Sequence, residues 1–103
     1  MPAARYPSPK YTVEISAAIA GTIRQLHEQA VREQRGKLFV TALSECTTRL
    51  EEDPRSFGEP MYRLPLLQLQ VRHGAVRPLF IDFAVHDERP LVFIRKVQLL
   101  AAD

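Results

Sequence analysis

Apolar and polar positions along the chain follow two different rhythms. Tyr11-Thr12-Val13-Glu14-Ile15 alternates and is rich in β-formers, which predicts a short strand. Ser16 follows as an N-cap. Ile19, Ile23, Leu26 and Ala30 then step by four, three and four residues. That is one apolar helical stripe, flanked by Arg24, Gln25, His27, Glu28, Arg32 and Glu33. Gly36 reads as its stop signal. A second stripe runs Phe39, Leu43, Cys46 and Leu50, and Asp53-Pro54 ends it, because a residue before proline is pushed out of the helical region. The two helices form an αα-hairpin. Each has a single apolar face and needs something flat to cover.

The second half supplies that surface. Asp53 to Pro65 reads as a loop, with three prolines and Gly58. Leu66 to Arg72 alternates, with Leu67, Leu69 and Val71 on one face. His73-Gly74-Ala75 reads as a turn. Val76 to Val85 is a second alternating strand, with Leu79, Ile81, Phe83 and Val85 on one face and Phe80, Asp82 and Ala84 on the other. After a polar turn at His86–Pro90, Leu91 to Leu100 is a third strand. It is apolar on both faces except at Arg95, Lys96 and Gln98, as an interior strand is. The predicted order is β-α-α-β-β-β, an α+β domain in which an antiparallel sheet carries a helical hairpin on one face. Residues 1–10, with Pro2, Pro7 and Pro9, read as an extended arm, and residues 11–103 as a single domain.

Composition narrows the function classes. A chain of 103 residues, 46% hydrophobic, holds one core and not two. A nucleotide-binding fold with a separate substrate domain is excluded. Cys46 stands alone, so no internal disulfide or multi-thiolate zinc site is expected, and a reducing cytoplasm is the natural compartment. No apolar run approaches the roughly 18 residues a membrane span needs, so no membrane partner is expected. The glycines form no phosphate-cradling loop, and no metal-ligand spacing appears, so no cofactor is expected. Net charge is +2. Residues 1–53 carry 7 basic and 7 acidic side chains, and residues 54–103 carry 7 and 5, so the excess lies on the sheet half. So small an excess leans toward a protein partner rather than toward ribosomal RNA.

The segments RLEEDPRSFGEP, LLQLQVRHGAVRPLFIDF and RPLVFIRKV, in this element order, resemble the RelE/ParE superfamily of small bacterial toxins from Tyr11 onward. In that family an arginine after the central hairpin turn leads a strand with an aromatic residue three positions on, here Arg77 and Phe80. The resemblance implies one of two activities. Ribosome-dependent members cut mRNA without a metal, and others act by binding a protein target; both are neutralised by an antitoxin. The cleaving members place an arginine or lysine, then a tyrosine or histidine, at or after the last strand. Here the sequence reads VQLLAAD. That departure predicts a non-catalytic or weakly active member that binds a protein partner, as a homo-oligomer or a hetero-complex. The alternatives are an active mRNA endoribonuclease and an unrelated self-associating α+β domain.

RNA cleavage without a metal needs a base, a cation for the developing phosphorane charge and an acid. Arg77, His73 and Lys96 are the catalytic candidates; Arg72, Arg77 and Lys96 are the candidates for RNA or partner binding. Arg95 and Lys96, being adjacent, are expected on opposite faces, with Arg95 among Phe93, Val97 and Leu99 and paired to Asp82, and Lys96 toward solvent. His86 is expected in a turn and His27 on a solvated helix face. Cys46 is expected to be a small buried hydrophobe. The apolar C-terminal strand is expected to present surface, or an edge, to a partner.

Overall fold

The computed structural model describes residues 10–102. The predicted arm therefore lies, apart from Lys10, outside the described residues. The fold is α+β, with a five-stranded mixed sheet and a helical hairpin packed on one face. Strand β1 (Thr12–Glu14) leads into α1 (Ala17–Arg32) and α2 (Gly36–Glu52). Then come β2 (Glu59–Leu64), β3 (Leu69–Val76), β4 (Leu79–His86) and β5 (Leu91–Leu99), with short 3₁₀ turns at Pro54–Ser56 and Pro65–Leu67. The sheet order is β1-β5-β4-β3-β2. Neighbouring strands run antiparallel except β1, which lies parallel to β5 with Val13 beside Val92.

Both predicted helical stripes face the sheet. The Ser16 hydroxyl caps α1 by accepting from the Ile19 N–H at 3.1 Å. Ile19, Ile23 and Leu26 pack against a core in which Ala30, Phe39, Ala42, Cys46 and Leu50 meet Leu79, Ile81, Phe83 and Val85 of β4 and Val92 and Val97 of β5. The hairpin turn differs from the expected one. Gln34, at φ 61°, takes the left-handed position. Gly36 instead opens α2, because Val31 Cγ2 lies 3.0 Å from where a Cβ would stand.

Three further expectations are corrected. The supposed loop from Asp53 to Pro65 contains β2. All but the last of its residues are exposed, and it holds Pro60 and a bulge, so it has no apolar rhythm to betray it. Such features suit an edge strand. His73-Gly74-Ala75 is not a turn but the continuation of β3; the turn falls at Arg77-Pro78, whose peptide is cis. Gly74 is there because the Phe57 ring comes within 2.8 Å of where its Cβ would be, which is a packing reason for glycine in a strand. Finally, β5 is no edge, being paired on one side with β1 and on the other with β4. The edges of the sheet are the three-residue β1 and the bulged β2, both poor templates for an added strand.

Glycine positions offer a paired test. Gly58 has φ +69°, and a Cβ there would lie 1.8 Å from the His73 carbonyl oxygen. Gly58→Ala should therefore lower stability by about 3 kcal/mol or more. Gly21, inside α1 with nothing nearer than Arg24 Nη2 at 3.7 Å, has room. Gly21→Ala should raise stability by about 0.5–1 kcal/mol. Urea unfolding of the two variants beside the parent chain reads both signs.

Candidate functional site

The pleat that turns Leu79, Ile81, Phe83 and Val85 toward the helices leaves Phe80, Asp82, Ala84 and His86 on the other face of β4. Register then sets Leu69, Val71, His73 and Ala75 of β3 beside them. Among the described residues no helix covers this second face. Its centre is nonetheless dry: Val71 and Ala84 are buried.

A bulge in β5 gives this face its charge. Asp82 pairs with Lys96 while Phe83 pairs with Ile94, so Arg95 is an extra residue. The bulge resets the alternation. Val97 joins Val92 and Ile94 against the core, and both Arg95 and Lys96 serve the open face. The expectation that these neighbours point to opposite faces is corrected for that reason. One transverse row now reads Glu59, His73, Asp82, Lys96 across four strands.

Arg95 occupies the middle of this face. Its Nη1 donates to the Tyr62 hydroxyl at 2.9 Å, and its guanidinium lies over the Tyr62 ring, 5.9 Å from the centroid. Its pKa is raised, first by the hydrogen bond to Tyr62 and further by the charge of Asp82. Arg95 and Asp82 are paired, as expected from the sequence, but loosely: Nη1 to Oδ1 is 3.7 Å. That oxygen is shut from solvent and has no hydrogen-bond partner among the described residues. The His73 ring tilts against Phe80 at 5.5 Å.

The candidate residues do not converge. Lys96 and His73 flank Asp82 in the same row. Arg77 lies in the β3–β4 turn, four residues beyond His73, which is roughly 13 Å along a strand. It lines a hollow with Arg35, Leu38 and Leu100. Arg72, expected among the binding cations, is instead 7% exposed on the helix side, in register with Phe83. Its Nε and Nη2 donate to the carbonyls of Phe57 and Gly58 at 3.1 and 3.0 Å, and its Nη1 donates to Gln70. Arg72 therefore holds the chain together and is not presented to a ligand. His86 also has a structural partner set, since its Nδ1 accepts the N–H groups of Glu88 and Arg89, both at 3.0 Å. His27 is half-buried against Phe39 rather than solvated.

Tyr62 and Arg95 are the members of the site that sequence reasoning did not place there. Tyr62 sat in the supposed loop, and Arg95 is the unpaired residue of a bulge that the sequence does not announce. Two clefts, each about 620–630 Å³, lie toward the β1 side of the molecule, one polar and one apolar, and neither includes any of these side chains. Among the described residues, no group of three or more His, Cys, Asp or Glu side chains could hold a metal ion. Comparison with family models, with curated proteins and with solved structures gave no match.

The division between structural and presented cations is measurable. Arg72→Met leaves two backbone carbonyls without their donors and should lower stability by about 2–3 kcal/mol in chemical denaturation. Lys96→Ala should fall within about 0.5 kcal/mol of the parent. Cys46, buried on α2, has its thiol pushed up to about 11, chiefly by burial. At pH 8 it should stay unmodified by a thiol reagent in the native chain and react at once in denaturant.

Proposed function

We propose that the chain is a RelE/ParE-like protein that works by binding a protein partner on its open sheet face, without cutting RNA. The observation that carries this reading is the scatter of the groups that cleavage would need. Arg77 stands in the β3–β4 turn, four residues and about 13 Å of extended chain beyond His73, and lines a separate hollow with Arg35, Leu38 and Leu100, whereas His73 and Lys96 share the Asp82 row. The charge on the face supports the same conclusion. Glu59 and Asp82 are interleaved with Arg95 and Lys96 around buried Val71 and Ala84. A dry centre with a mixed-sign polar surround fits a protein surface, whereas a phosphate chain selects excess positive charge. The element order, with the helical hairpin on one face only, is in keeping with the family resemblance and leaves the opposite face for the partner.

The test has two arms. Induced alone in a bacterium, the chain should leave ribosome-bound mRNA uncut, as read by mapping 5′ ends. Co-expressed with a small protein encoded beside its own gene, it should purify as a complex, and Arg95→Glu with Lys96→Glu should weaken that complex by about tenfold or more. Ribosome-dependent cuts that Lys96→Ala or Arg77→Ala abolishes would replace this reading with the nuclease one.

A further inference from the structure

We infer that Asp82 is a specificity-determining residue, whose carboxylate turns phosphate-bearing chains away from the open face and leaves it to a protein partner. This inference rests on the protein-binding reading given above. Asp82 occupies the middle of β4, itself the middle strand of the sheet. Aspartate is disfavoured in mid-strand, so its presence calls for a compensating interaction. The fold supplies little. Among the described residues Oδ1 accepts no hydrogen bond, and Arg95 Nη1, 3.7 Å away, lies beyond hydrogen-bond reach and donates to Tyr62. Structural anchoring therefore does not account for a charged group at this position.

The surroundings do account for it. Without the Asp82 charge, Arg95, Lys96 and His73 would stand among Tyr62, Phe80 and Phe93 on an uncovered sheet. Tyr62 is exposed and Phe80 and Phe93 are half-buried, and cations beside accessible aromatic rings on an open sheet are what single-stranded RNA stacks on and is held by. A phosphate in contact with Arg95 would also lie within a few ångströms of the Asp82 carboxylate. That carboxylate is only 20% exposed, so solvent and salt screen the repulsion weakly. Glu59, at the end of the same row, adds a second negative charge.

Binding of a short fluorescein-labelled oligouridylate, followed by anisotropy at low salt, tests the inference on the full chain. The parent should bind weakly. Asp82→Asn, which keeps the shape and removes the charge, should bind at least about tenfold tighter and lose that affinity steeply as salt rises. The same substitution in an Arg95→Gln, Lys96→Gln background should bring no gain. Far-UV circular dichroism confirms folding, and Asp82→Ser replaces Asp82→Asn should that variant not fold. A folded Asp82 variant that binds no better than the parent overturns the inference alone, as does a gain that survives loss of both cations. Saturable binding by the parent at physiological salt overturns the protein-binding reading itself.

Discussion

Phe57 is the wedge on which the two layers of this protein are joined. Its ring stacks on Phe83 at 5.6 Å, fills the space above Gly74 and receives the Arg49 guanidinium at 5.4 Å. Its carbonyl takes the Nε proton of buried Arg72, and the next carbonyl, that of Gly58, takes Nη2. The segment leaving α2 is thereby fixed against β3 before β2 begins. The register of β2, and with it the position of Tyr62 beneath Arg95, follows from that attachment. The knot tolerates little change: a Cβ on Gly74 would strike the ring, and one on Gly58 would strike the backbone of β3.

Much of the fold was legible because it is written in periodicity. The stripes of α1 and α2, the Ser16 cap and the alternation of β4 each report a buried face, and a buried face is a local property of the sequence. What escaped was set by partners distant in the chain. β2 shows no rhythm because an exposed edge strand buries almost nothing, and it exists because β3 offers it hydrogen bonds. Gly74 looked like a turn residue because glycine favours turns, but the ring that requires it comes from Phe57, seventeen residues earlier. The candidate site was legible in its residue types and not in its arrangement. His73 and Lys96 stand out by type as bearers of chemistry and Asp82 as an ion-pair partner, yet only the register puts them in one row.

The bulge in β5 shows how one inserted residue decides the character of a whole face. With regular alternation from Val92 and Ile94, Lys96 would point into the core, where an ammonium needs a full set of partners, and Val97 would point out. The extra residue, Arg95, turns Lys96 outward beside Asp82 and lets Val97 fill the place below. The same step that protects the core therefore builds the polar surround of the open face. Arg72 solves the converse problem. It remains on the helix side and is satisfied there by carbonyls that the Phe57 segment brings to it.

The placement of β1 has a consequence for synthesis. Among the described strands it is made first and pairs with β5, the last of them, so Thr12 waits for Leu91. The helical hairpin, whose contacts are local, needs nothing beyond its own residues and the turn at Gln34 to begin forming. The sheet edge next to it can be completed only by closing a loop that spans nearly the whole domain, an entropic toll levied only once β5 has been made. Until then one flank of β5's future position is unmade, and the newborn chain exposes the apolar sides of its helices to whatever else is in the cell.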